Sequence, residues 1–231
     1  MVLISAKCTE CGRILQVDDE KNAAVCYYCN MPFAIEKTAD RAGRSTDPHD
    51  FFIRAGGLAM YNGAAADVVI PDDITYIGQE AFMNCIGLRR VVIPDSVTHI
   101  DDKAFYKCMT LTSIIIPNNV IYLGIEAFGE CRSLRIINIP NRITFVGAAA
   151  FRNCSSLESI TIPNGVTRIE QLAFTGCSSL KSITIPNSVN NIGAYAFQGC
   201  SELASVICND KLKHEFSGAF TDTPWYRQQV Q

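Results

Sequence analysis

The chain has 231 residues, 48% of them hydrophobic and 19% charged, with a formal net charge of −3. That composition is globular rather than disordered, and the charge is too mild to steer the protein toward nucleic acid or an anionic membrane. No apolar run approaches the ~18–20 residues that span a bilayer, and the opening MVLISAKC is too short for a secretory h-region, so the expectation is a cytoplasmic protein whose eleven cysteines are thiols or metal ligands rather than disulfides.

Residues 1–37 carry two CxxC knuckles, CTECG at 8–12 and CYYCN at 26–30, separated by fourteen residues. Knuckles so spaced can bring Cys8, Cys11, Cys26 and Cys29 tetrahedrally around one structural zinc ion. Iron in a four-sulfur site is the lesser metal alternative. Between the knuckles, RILQV, the turn-prone DDEKN and AAV read as a β-hairpin, and MPFAI offers a third strand. The expectation is a zinc ribbon, because about 35 residues rarely fold without a metal or disulfides. Four Lys or Arg face five acids in this stretch, and a tetrathiolate zinc centre adds about −2. Phosphates should therefore be repelled, and a closed shell of four thiolates leaves no position for a catalytic water. A structural or protein-docking role fits better. Residues 38–50 are polar and lack an apolar period, so they read as a linker.

FFIRAGGLAMYNG at 51–63 places two short apolar runs around Ala55-Gly56-Gly57. That pattern predicts a hairpin able to cap the core of the residues C-terminal to it. From there the chain repeats. Ile-Pro begins at Ile70, Ile93, Ile116, Ile139, Ile162 and Ile185, always 23 residues apart. Ala-Phe recurs from Ala81 to Ala219 at the same interval, cysteines fall from Cys85 to Cys200, and leucines follow each cysteine by three. Several columns keeping one period over six or seven copies predict a solenoid.

Each column has a physical task. In LKSITIP (180–186), Leu180, Ile183 and Ile185 face inward while Ser182 and Thr184 face out. Pro186 cannot donate to a ladder, so it marks the strand's end, and Asn187 favours the turn. Gly193 has counterparts at Gly78, Gly124 and Gly147, but Asp101 and Glu170 fill the same slot. Space rather than a positive φ is therefore the expected demand there. Phe82 to Phe220 should stack as an aromatic column, and the small, soft cysteines belong in the core. The seventh copy decays, and Trp225 and Tyr226 in the stretch 221–231 are expected to cover the last coil.

These columns resemble the BspA-type bacterial leucine-rich repeat, LxxIxIPxxVxxIGxxAFxxC, over roughly residues 51–226. The resemblance implies a right-handed, mainly β solenoid with a parallel sheet on its concave side and short helical or irregular turns opposite. It also implies a binding module; many such proteins are surface-exposed adhesins.

No catalytic constellation is visible. The three histidines, His49, His99 and His214, are scattered, and neither GxSxG, Walker A nor GxGxxG occurs. What remains is the outward face of the strands. Its columns read Asp67, Arg90, Ser113, Ile136, Ser159, Ser182, Ser205, and Val69, Val92, Ile115, Asn138, Thr161, Thr184, Ile207. The N-terminal half of this face, Val69, Arg90, Val92, Ser113, Ile115, Ile136 and Asn138, is the candidate protein-binding surface. The expected function is a non-catalytic protein-interaction module with one structural zinc. Alternatives are a nucleic-acid-associated protein acting through the ribbon, or a surface adhesin fragment.

Overall fold

The structure is a computed structural model that describes residues 3–7, 14–18, 23–25, 32–34, 44–45, 48–209, 212 and 216–229. The chain divides into two compact units, Met1–Ala42 and Gly43–Gln231.

In the first unit Leu3–Lys7 pairs antiparallel with Ile14–Asp18, and Ala23–Val25 pairs antiparallel with Pro32–Ala34. This differs from the hairpin expected between RILQV and AAV. The five-residue strand Leu3–Lys7 offers Ile14–Asp18 a full-length partner, from Leu3 opposite Asp18 to Lys7 opposite Ile14. The three-residue Ala23–Val25 could match only part of it.

The second unit is a parallel β-solenoid with a period of 23 residues, mainly β with few helices. Two short strands recur per coil. The first set, Arg44–Ser45, Asp67–Val69, Arg90–Val92, Ser113–Ile114 and Ile136–Ile137, forms one parallel sheet. Arg44–Ser45 lies within the stretch read as linker and extends that sheet by one strand. The second set, Tyr76–Ile77, His99–Ile100 and Tyr122–Leu123, forms a parallel sheet closed by the hairpin Phe51–Arg54 and Gly57–Tyr61. Ala55 and Gly56 both have positive φ at the hairpin turn, 51° and 78°. This is the combination that matches the right-handed twist of the flanking strands.

Both sheets are interrupted partway along the array. Phe145–Val146, Arg168–Ile169 and Asn191–Ile192 continue the second set separately, and Ser182–Thr184 pairs with Ser205–Ile207. Residues 159–161 between them form no strand.

The Ala-Phe-x-x-Cys segments form turns rather than helices, and their hydrogen bonds alternate. The N–H groups of Glu80, Phe82 and Asn84 donate to Asp102, Ala104 and Tyr106 of the next coil, while those of Ala81, Met83 and Cys85 donate three residues back. This alternation requires two left-handed residues per coil. One column runs Glu80, Lys103, Glu126, Ala149, Leu172, Tyr195, and the other Asn84, Lys107, Glu130, Asn153, Gly176, Gly199, all with φ between 52° and 74°. Left-handed backbone costs a non-glycine residue roughly 1 kcal/mol, and the inter-coil bonds hold it there.

The core is the column set expected from the repeat. Phe82 through Phe220 are stacked nearly parallel, with successive ring centroids 4.8–5.9 Å apart. Aromatic pairs in isolation favour offset or tilted arrangements; here the strand spacing of about 4.8 Å sets the repeat. Aromatic residues end the column on both sides. Tyr61 lies 5.1 Å from Phe82, and Trp225 meets Phe220 edge-on at 4.9 Å. Trp225 belongs to the short terminal helix Pro224–Gln229.

The glycine column answers to space, as expected. A Cβ on Gly147 would lie 2.8 Å from the carbonyl oxygen of Leu123 and 3.0 Å from that of Gly124.

Candidate functional site

The outward strand positions are where the alternation of the pleat places them. Val92, Ile115 and Ile136 are 51%, 62% and 67% exposed, large values for aliphatic side chains. Arg90 is exposed, whereas Val69 and Ser113 are half-buried. Arg90 sits opposite Asp67 on one side and Ser113 on the other, and Ser113 opposite Ile136. Five of the seven nominated residues therefore lie on strands of one sheet, and Ile115 and Asn138 directly follow two of those strands, with the aliphatic side chains on neighbouring coils.

Asn138 does something its column neighbours cannot. Its Oδ1 accepts the Ile116 N–H at 2.8 Å, and its Nδ2 donates to the Ile116 carbonyl at 2.8 Å. The amide thus acts as a substitute strand at the point where the sheet ends. Beyond it, a cleft of about 220 Å³ opens between Ile136–Asn138 and the unpaired segment 159–161, with Pro163 on its wall. The apolar strip runs into this cleft. The sequence columns alone did not reveal the cleft, because Ser159 and Thr161 look like ordinary strand residues.

The repeat thiols lie on the inside. Cys108, Cys131, Cys154, Cys177 and Cys200 are wholly buried. Each donates its S–H to the carbonyl of the phenylalanine 26 residues earlier, at 3.1–3.2 Å. Burial pushes the Cys154 and Cys177 thiols well up and the Cys200 thiol up to about 12. Cys85 and Cys208, at the two ends of the array, are only half-buried. Cys85 was expected inside with the rest of its column, but the terminal coils have fewer neighbours to cover these side chains. Burial nevertheless pushes the Cys85 thiol up to about 12.

Glu130 is a buried carboxylate in a left-handed position. Burial pushes its carboxyl up, but hydrogen bonds from Asn153 at 2.6 Å and Arg132 at 2.9 Å outweigh that and hold it below the usual range. It acts as a brace between coils.

The four CxxC cysteines lie outside the described residues. The described strands show where they fall along the chain: Cys8 and Cys11 between Leu3–Lys7 and Ile14–Asp18, Cys26 and Cys29 between Ala23–Val25 and Pro32–Ala34. Each knuckle therefore connects the two strands of an antiparallel pair. Among the described residues, no three His, Cys, Asp or Glu side chains converge as a metal site, and no helix is long and apolar enough to cross a membrane.

Comparison with known proteins bears on the array. No curated protein matches the chain. A T. pallidum leucine rich repeat protein of known structure is 24% identical over 78% of this chain and 98% of its own, with a TM-score of 0.59. A leucine-rich repeat protein from Eubacterium ventriosum is 24% identical with a TM-score of 0.63, covering 73% of this chain and 46% of that one. A leucine rich cell surface protein from Faecalibacterium prausnitzii is 31% identical with a TM-score of 0.53, covering 68% and 52%. This chain thus spans about half the length of the last two. The family model described as BspA type leucine rich repeat region matches six copies, across residues 58–181 and 144–227. With those copies aligned on the 23-residue coils of the solenoid, the chain belongs to the BspA-type leucine-rich repeat family.

Proposed function

We propose that this protein is a non-catalytic interaction module whose solenoid holds a protein partner on the exposed strip Val92, Ile115 and Ile136, bordered by Arg90 and Ser113. The observation that carries it is the exposure of three large aliphatic residues on neighbouring coils, beside a cleft. An apolar centre with a polar border is the composition of protein interfaces. Leucine-rich repeat arrays serve as interaction scaffolds, which agrees with the family.

The N-terminal unit is a structural zinc module. Cys8, Cys11, Cys26 and Cys29 would hold the ion as a tetrathiolate, and the metal would supply folding energy rather than chemistry. Two short antiparallel pairs, each joined by a CxxC segment, support this. A cytoplasmic location goes with it, since a reducing compartment keeps both the ligand set and the buried thiol column intact. The surface-adhesin alternative draws on the similarity to the F. prausnitzii cell surface protein.

The test compares the full chain with its Ile115→Asp variant as bait in lysate of the native host, with circular dichroism on both. A protein retained by the parent and lost by the variant, at unchanged dichroism, supports the strip. Identical retention by both removes it.

A further inference from the structure

The second strand set carries a row of rings on its outward side. Tyr76, His99, Tyr122 and Phe145 occupy one position on four successive coils, all half-buried. His99 and Tyr122 lie 6.0 Å apart centroid to centroid, and Tyr122 and Phe145 also 6.0 Å. The fifth coil places Arg168 at this position. Its guanidinium lies over the Phe145 ring at 5.4 Å, and its Nε forms an ion pair with Glu170 Oε1 at 3.3 Å. The chain therefore already contains one example of a guanidinium set on this row and clasped by a carboxylate two residues later.

Nearer the N-terminus the same two positions recur without the cation. Asp101 occupies the slot of Glu170, and His99 and Tyr122 supply the rings. The segments 71–79, 94–102 and 117–125 of this face contain five aspartates and neither lysine nor arginine; the capping hairpin adds Arg54 at one end of the row, where its carbonyl accepts the Tyr76 hydroxyl at 2.9 Å. Among the described residues the Asp101 carboxylate receives no hydrogen bond or ion pair, and burial together with neighbouring Asp102 pushes its carboxyl up, partly opposed by His99. Asp102 accepts the Ile125 N–H at 2.7 Å and faces the Tyr122 hydroxyl at 3.4 Å. The nearby Lys103 is engaged elsewhere, 3.7 Å from Glu126.

We propose that the face formed by Tyr76, His99 and Tyr122 with Asp101 and Asp102 binds an arginine-bearing basic peptide segment, stacking its guanidinium groups on the rings. Rings supply the quadrupole and the acids the charge; a planar guanidinium uses both, whereas an ammonium stacks poorly. Nucleic acid would meet the same aromatic row but be repelled by the aspartates. This surface is separate from the strip around Ile115.

The experiment uses the full chain and two labelled probes, a hexa-arginine and a hexa-lysine peptide, read by fluorescence anisotropy at about 0.15 M salt, where long-range attraction is largely screened. Hexa-arginine is expected to bind more tightly than hexa-lysine, by roughly threefold to thirtyfold. Tyr122→Ala and the isosteric Asp101→Asn should each weaken hexa-arginine several-fold. Arg168→Ala should strengthen it, because it frees Phe145 and Glu170 for the peptide. Ile115→Asp should change nothing. Equal affinity for the two peptides, absence of binding, or an Asp101→Asn variant that binds like the parent would each overturn the proposal. Asp101→Asn keeps the side chain's size, so that variant remains decisive even if Tyr122→Ala fails to fold.

Discussion

Asn138 hydrogen-bonds both backbone groups of Ile116 through its side-chain amide, each at 2.8 Å. Ile116 is buried, so removing the amide strands a donor and an acceptor away from water. A neutral hydrogen bond contributes about 0.5–1.5 kcal/mol net. Asn138→Ala should therefore lower unfolding free energy by roughly 1–3 kcal/mol, while the same truncation at exposed Thr161 should stay within about 0.5 kcal/mol. Urea titrations of the two variants check this; equal midpoints would mean that the amide bridge contributes nothing.

The thiol column predicts both a labelling pattern and a pH profile. Native alkylation near pH 8 should spare Cys108, Cys131, Cys154, Cys177 and Cys200, which are buried and donate to phenylalanine carbonyls. Half-buried Cys85 and Cys208 should react first. Mass spectrometry of peptides after native and denatured labelling separates the classes.

The same thiols should make the solenoid sensitive to alkali. In the unfolded chain they ionise near 9.0, whereas burial holds Cys200 to about 12 and Cys154 and Cys177 well above the usual value. Between those limits the unfolded state binds fewer protons than the native state, so stability falls as pH rises. The contribution is complete below pH 9 and fades toward 12, by at most about tenfold in the folding equilibrium per pH unit for each thiol. Urea midpoints at pH 8 and pH 10.5 test the sign, and a Cys154→Ala variant should flatten the slope.

Metal removal should act on one unit only. The full chain is expected to contain one zinc per molecule, and a strong chelator should abolish the ordered structure of residues 1–37 while leaving the solenoid's thermal transition unchanged. Binding free energy is folding free energy only for the unit that holds the ion. Elemental analysis with neither zinc nor iron in stoichiometric amount would contradict the assignment.

Within a coil, Gly147→Ala should cost more than its single methyl suggests, because the new Cβ would press on the carbonyls of Leu123 and Gly124. A loss of about 1–3 kcal/mol is the range for such overpacking. Phe128→Ala, at the centre of the ring column, should cost about 3–5 kcal/mol. Differential scanning calorimetry of both variants measures the effects.

The 23-residue period by itself determined the solenoid, the inward columns and the outward ones. A pattern repeated in six copies leaves a single register in which Ile70 through Ile185 and Phe82 through Phe220 are all buried. The hairpin cap and Trp225 were legible for the same reason, since a repeat array must end on something apolar and covered. The left-handed positions of Lys103 or Leu172 carried no signal, because inter-coil hydrogen bonds impose that backbone on residues that would not choose it. Asn138 looked like a surface residue until its partner 22 positions away was in view. The aromatic row from Tyr76 to Phe145 carries little signal in the sequence, because its column also holds His99 and Arg168, and only stacking of the coils brings these groups together. Periodicity determines which way a side chain points, whereas what it meets is decided by the neighbouring coil, and that depends on tertiary structure.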